Sequence, residues 1–220
     1  MTGVDDLSPV AQDYLKVIWS AREWGAPPIT TKGLAERMGT SQANVSDAMR
    51  RLQAQGLLSY QPYRPVSLTR EGEQLAVAMV RRHRLLETFL ARVLGYGWED
   101  VHEDAERLEH AVSDRMLARI DALLGHPRID PHGDPIPSAD GHWPGQGDTI
   151  RLDEAVPGRY EVVRVDDSDP ARLADLRRIG LIPGARVDID RADPVRVVRD
   201  ERPLDLDAAT FRQVRVRHVD

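Results

Sequence analysis

The chain has 220 residues, 41% apolar and 30% charged, which excludes a disordered chain and suffices for one large domain or two to three small ones. It contains no cysteine, which rules out disulfides, thiolate zinc sites, iron–sulfur clusters and cysteine nucleophiles. A net charge of −6, from 30 basic and 36 acidic residues, argues on its face against nucleic-acid binding.

Residues 1–8 are polar and acidic, without the n-region and h-region of a signal peptide. No apolar run reaches the ~18 residues of a membrane helix. A cytoplasmic protein with no membrane partner is therefore expected. Ser8 caps a predicted first helix with Pro9 at its first position, and Tyr14, Leu15, Ile18 and Trp19 recur at helical spacing. Thr30 or Thr31 opens a short second helix, TKGLAERM, which Gly39 ends. Ser41 caps a third, SQANVSDAMRRLQAQ, closed by Gly56. LLSYQPYRPVSLT follows as two brief extended runs around a Pro-containing turn. Residues 70–94 and 99–123 predict two long helices, broken apart by Gly95 and Gly97. Residues 125–148 hold five Gly and five Pro in 24 positions, too dense for the interior of either element, and predict a linker. Beyond it RYEVVRV, ARVDIDR, VRVVRD and RQVRVRHV alternate as short strands. PARLADLRRIG predicts one helix closed by Gly180, with a turn at Pro183-Gly184. The expected fold is mainly α with a small β part. A winged helix-turn-helix spans 1–72, a helical domain 73–124, the linker 125–148 and a small barrel 149–220.

Helix, short helix, Gly-bearing turn, helix and hairpin is the winged helix-turn-helix order. Val45, Met49 and Leu52 give the third helix its buried stripe. Its opposite face presents Ser41, Gln42, Asn44, Ser46, Asp47, Arg50 and Arg51, short polar groups suited to phosphates and base edges in a major groove. Arg64 at the hairpin tip suits a backbone contact. Charge by segment removes the opening objection. Residues 1–72 carry 8 basic and 7 acidic groups, whereas 73–142 carry 8 and 13. The acidity lies outside the reading head.

That acidic middle concentrates metal-ligand types. His83 and Glu87 are four apart, so both leave one helix face. His102, Glu106, Glu109 and His110 follow at i, i+4, i+7 and i+8, an arc of roughly 100° on an α-helix. Val101, Ala105, Leu108 and Val112 form a separate stripe centred roughly 110° away, so packing and ligation take neighbouring faces. Carboxylates grouped on a half-buried face raise each other's pKa, and a divalent cation removes that penalty. His126, His132 and His142, among Pro and Gly, are expected to be solvated instead. A helical metallohydrolase is the alternative from another class, but no nucleophile motif or phosphate-cradling Gly loop is present, so no enzyme is expected. A metal-independent interaction module is a third reading.

QDYLKVIW, ANVSDAMRRLQAQGLL, LTREGEQLA, RRHRLLETFL, VHEDAERLEHAVSD and HGDPIP together resemble the metal-dependent repressors of the diphtheria toxin repressor and manganese transport regulator family. The likeness covers essentially the whole chain. It implies a homodimer that binds double-stranded operator DNA, with an SH3-like C-terminal domain and two metal sites per chain. The implied primary site is Asp13, Glu106, Glu109 and His110, and the implied ancillary site is His83, Glu87 and His102. Iron-sensing members carry Met and Cys where this chain has Asp13 and Glu106, as manganese-sensing members do. The resemblance thus implies a Mn²⁺-responsive repressor of metal-homeostasis genes, with Fe²⁺ as the alternative; hard oxygen ligands agree. Some manganese regulators carry a Glu where this chain has Lys16, which disfavours a closely bridged ion pair. From the SH3-like part, alignment through Gly184 offers Asp169 as an added ancillary ligand and Arg172, which cannot serve.

Overall fold

A computed structural model describes residues 3–24, 27–62, 64–145, 147–190 and 196–219. Tyr63 of the predicted hairpin, and Arg191 and Val195 of two predicted strands, lie outside them. The chain divides into two compact units. The first comprises residues 1–83, 108–113 and 137–143; the second comprises 84–107, 114–136 and 144–220.

In the first unit, helix α1 (Pro9–Ser20) starts where Ser8 Oγ accepts the Ala11 amide and Pro9 pre-sets the first turn. Helix α2 (Thr31–Arg37) is capped by Thr30 and α3 (Gln42–Ala54) by Ser41, whose hydroxyl accepts the Asn44 amide at 3.2 Å. Strands β1 (Leu58–Ser59) and β2 (Ser67–Leu68) pair antiparallel as the wing. Helix α4 (Arg70–Leu94) begins in this unit and its residues beyond His83 belong to the second. Leu15, Ile18, Leu34, Val45, Met49, Leu57 and Met79 form a core in which each is essentially inaccessible. Trp143, from the Gly/Pro-rich stretch, packs edge-on against Trp19 with centroids 4.9 Å apart, so that part of the stretch is bound to the core.

The second unit carries α5 (Val101–Leu108), whose last residue belongs to the first, and α6 (Asp114–Leu123). The single helix expected over 99–123 is therefore two. The amides of Ala111 and Val112 both bond to the Leu108 carbonyl, ending the helix there. Ser113-Asp114, a start signal with an acid in the first turn, opens the next. Amphipathic periodicity ran through the break and concealed it.

The remainder is a six-stranded antiparallel sheet in the order β3-β8-β4-β5-β6-β7. Its strands are β3 (Ile150–Arg151), β4 (Gly158–Val165), β5 (Arg186–Asp190), β6 (Arg196–Arg199), β7 (Arg202–Leu204) and β8 (Val214–His218). Helix α7 (Pro170–Ile179) follows β4 and ends at Gly180, whose φ of 72° supplies the left-handed cap. Helix α8 (Ala208–Gln213) precedes β8. Val162, Val165, Leu173, Val187, Val197, Val214 and Val216 fill the core. The register of β4 on β8 slips between Val162 and Arg164, a bulge that offers the Val163 carbonyl to a loop. No helix among the described residues is long and apolar enough to cross a membrane.

Candidate metal centres and DNA-reading face

The first cluster belongs to the first unit. Asp13, on α1, places Oδ1 3.0 Å from His110 Nε2. Glu109, fully buried, lies beside them, with Oε1 3.9 Å from the same nitrogen. One ligand atom from each of Asp13, Glu109 and His110 lies within 4.8 Å of the other two. Glu109 is also engaged on both oxygens by protein. Lys16 Nζ is 2.5 Å from Oε1 and His83 Nδ1 is 2.6 Å from Oε2. Burial works to raise the Glu109 carboxyl, yet the hydrogen bond and charge of His83, joined by Lys16, hold it below the ordinary carboxylate range. Asp13 further lines a groove of about 780 Å³ with Asn44, Asp47 and Arg51 of α3, so this cluster adjoins the third helix.

The second cluster belongs to the second unit. Glu87 on α4, Asp130 and His132 offer ligand atoms within 4.8 Å of one another, and all three are buried. His132 Nδ1 stands 3.8 Å from Glu87 Oε2 and 3.9 Å from Asp167 Oδ2. His102 Nδ1 stands 3.4 Å from Glu87 Oε1 and 3.9 Å from the same Asp167 oxygen. Of the expected set, then, Asp13, Glu109 and His110 come together, as do Glu87 and His102. Glu106, one turn after His102 on α5, lies 3.7 Å from its Nε2. His83, one turn before Glu87 on α4, meets Glu109.

His132 corrects an expectation. It is not a solvated loop histidine: its side chain is fully inaccessible. Asp130 Oδ1 accepts the amides of His132 and Asp134, both at 2.8 Å, which winds the PHGDP loop into an Asx-type turn. Gly133 (φ 88°) lies so close to the bulged Val163 carbonyl that a Cβ would overlap it. The His132 carbonyl accepts the Val165 amide at 3.0 Å. Its Nε2 donates to the Trp98 carbonyl at 2.7 Å, leaving Nδ1 buried with no hydrogen-bond partner among the described residues. An imidazole fixed by a carbonyl on one nitrogen and bare on the other is the arrangement of a metal ligand. Burial, then the Glu87 charge, pushes the Asp130 carboxyl up to about 7. Burial opposes protonation of His132, but Glu87, Asp130 and Asp167 outweigh it and raise its pKa. His126 and His142 are exposed, as expected.

Asp169 is corrected as well. Its Oδ1 accepts the Ala171 amide at 3.0 Å as the cap of α7, and Asp167 is the residue facing His102 and His132. The Asp169-Pro170 pair is a helix-start signal that assigns the carboxylate to capping. Both clusters offer carboxylate and imidazole donors with no sulfur, a set that fits a hard or borderline divalent ion.

On α3, Ser41, Gln42, Asn44, Asp47, Arg50 and Arg51 are exposed. Ser46 is half-buried and accepts from the Tyr60 hydroxyl at 3.2 Å, which ties it to the wing. Asp47 pairs with Arg50 at 2.6 Å. Arg64 is exposed between β1 and β2.

Comparison with known proteins gives the family. Residues 6–66 match the model for "Iron dependent repressor, N-terminal DNA binding domain". Residues 69–138 match "Iron dependent repressor, metal binding and dimerisation domain", and 150–218 match the FeoA domain. The iron-dependent repressor IdeR of Mycobacterium tuberculosis is 33% identical over 199 residues, covering 85% of this chain and 86% of its own length. A manganese-dependent transcriptional repressor solved in complex with manganese is 45% identical, with a TM-score of 0.87 over 95% of this chain and 100% of that one. The manganese regulator SloR is 30% identical, with a TM-score of 0.80 over 97% and 100%. The chain belongs to the iron-dependent repressor family, as a metal-dependent DNA-binding repressor built from a helix-turn-helix domain, a helical dimerisation domain and an SH3-like FeoA domain.

Proposed function

We propose that this repressor responds to Mn²⁺ through two centres per chain and represses metal-homeostasis genes in the cytoplasm as a homodimer on operator DNA. The observation that carries the reading is the convergence of Asp13 and His110 at 3.0 Å beside buried Glu109. Glu106, three residues before Glu109 in the sequence, is the proposed fourth ligand, and no thioether or thiolate enters the set. The second centre is Glu87, His132 and Asp130 with Asp167, and His83 and His102 are retained as ligands of the ancillary set. Asp13, Glu109 and His110 would hold a divalent ion there, which would supply positive charge between the two carboxylates. Through His110, Asp13 would tie α1 to the segment after α5 and so set α3, whose Val45, Met49 and Leu52 share a core with Leu15 and Ile18 of α1, for the major groove. Lys16, already on Glu109, limits that centre to one ion. Exposed Leu94, Met116 and Leu123 on α4 and α6 support a self-association face.

The test is a titration of DNA binding with Mn²⁺, Fe²⁺ and Zn²⁺, using a duplex selected from a random pool in Mn²⁺. Binding is expected with Mn²⁺ and lost on chelation. Equal binding after chelation removes the metal switch. Glu106→Cys run through the same series is expected to move the preference toward Fe²⁺, and an unmoved preference counts against Glu106 as a ligand. Mn-dependent and Fe-dependent relatives both stand close to this chain, so the series decides between the two ions.

Arg64 is expected to contact phosphate. Arg64→Ala should weaken binding to every sequence alike and reduce the slope of log K against log salt by about 0.9. An unchanged slope excludes that contact.

A further inference from the structure

The Asp13–His110 pair has an outer partner that neither the sequence pattern nor the ligand set accounts for. Gln12, immediately before Asp13 on α1, is only 3% exposed. Its amide nitrogen donates to two backbone carbonyls, Val4 at 2.9 Å and Leu7 at 3.1 Å. Both amide hydrogens are therefore used, and the side-chain oxygen is left to face His110 Nδ1 at 2.7 Å. An amide oxygen only accepts, so His110 Nδ1 must carry a hydrogen. Nε2, 3.0 Å from Asp13 Oδ1, is then the nitrogen available to a cation. The network also fixes which way the Gln12 amide is turned: reversed, it would set its oxygen against two carbonyl oxygens.

We infer that Gln12 is a positioning residue of the first metal centre. It holds the His110 ring with Nε2 toward Asp13 and fixes the hydrogen on Nδ1. Its two donors anchor it to the turn before α1, so the acceptor is fixed rather than recruited when an ion arrives. This inference rests on the proposed assignment of Asp13 and His110 as ligands. Sequence periodicity places Gln12 on the buried side of α1 beside Leu15 and Trp19, where a Gln carries no ligand signature; only the contact reveals its role.

The test compares Gln12→Met with Gln12→Glu in the full-length protein. The first removes both functions of the amide; the second keeps an acceptor for His110 and loses the two donors. Mn²⁺ affinity is measured by competition with a fluorescent chelator, with Asp13→Ala as the reference for loss of the centre. Gln12→Met is expected to bind Mn²⁺ about 10- to 100-fold more weakly, the range for outer partners of ligating histidines, and Gln12→Glu, which keeps the acceptor but sets an oxygen against the Val4 and Leu7 carbonyls, to lose clearly less. The Zn²⁺-loaded proteins, being diamagnetic, give the second readout from ¹⁵N-resolved imidazole spectra. His110 is expected to show a protected Nδ1–H in wild type and Gln12→Glu, and to lose that protection in Gln12→Met. Equal weakening in both variants, or an Nδ1–H equally protected in Gln12→Met, reduces Gln12 to a tie for the Val4–Leu7 turn and overturns the inference. If Asp13→Ala binds Mn²⁺ as wild type does, the ligand assignment itself falls, and the inference with it.

Discussion

Asp13→Ala is expected to lower Mn²⁺ affinity at the first centre by at least about 100-fold, the upper end of what losing even an outer partner of a metal ligand costs. DNA binding should then no longer depend on Mn²⁺ at concentrations that saturate the wild type. The side chain is only partly buried and faces His110, outside the apolar core that holds Leu15 and Ile18. Its removal leaves no cavity among apolar groups, and thermal stability of the metal-free protein should stay within about 1 kcal/mol of wild type. The measurement pairs chelator competition with fluorescence anisotropy of a labelled duplex, each with and without Mn²⁺. The coupling is reciprocal, so adding the duplex should tighten Mn²⁺ binding in wild type and not in Asp13→Ala. Unchanged Mn²⁺ dependence in the variant would falsify the switch. His110→Ala is a weaker probe, because that ring is also bonded to Gln12.

Much of this centre was legible because its parts are local. Glu109 and His110 are adjacent, and Asp13 sits on a helix whose cap, Pro9 and apolar spacing are all written in the chain. The reading head was legible for the same reason: Ser8, Thr30 and Ser41 each cap the helix they precede. Asp13 as a ligand came from family resemblance, since one aspartate on an amphipathic helix is ordinarily just a polar position. The second centre was half hidden. Glu87 and His102 showed in the helical spacing, whereas Asp130 and His132 sat in a stretch whose Gly and Pro density reads as linker. Their burial depends on an Asx turn and on contact with β4 some thirty residues later, and no local pattern encodes that contact. Asp167 was missed for a related reason. Counting back from Gly184 fixes a sequence offset, but the choice between Asp167 and Asp169 is made by helix capping. The break after Leu108 escaped because the apolar stripe continues through Val112, which is buried on the far side of the turn.

Gly133→Ala tests whether that loop is built the way its contacts require. At φ 88° a Cβ already strains the backbone, by about 1–3 kcal/mol. At Gly133 it would also overlap the Val163 carbonyl, and a backbone atom in a sheet has little room to yield. Together the two effects predict a loss of about 4 kcal/mol. At the usual 2–4 °C per kcal/mol for a chain of this size, the melting temperature should drop by about 8–16 °C. Gly141→Ala is the control. Gly141 has a comparable φ of 81°, but nothing lies within 4 Å of its would-be Cβ, so only the strain remains. The loop also positions the second centre. Arg84 Nη1 donates to the Pro135 carbonyl at 2.7 Å and its Nη2 to Asp134 at 3.3 Å, while Arg164 of β4 pairs with the same aspartate. Forcing Gly133 away from β4 must pull on this buried set, and His132 lies next in the chain. Gly133→Ala should therefore lose much of the thermal protection that Mn²⁺ gives the wild type, whereas Gly141→Ala keeps it. A melting temperature within about 2 °C of the Gly141→Ala value would mean that the loop can separate from β4 at little cost. Asp130 and His132 would then be held only by their own turn.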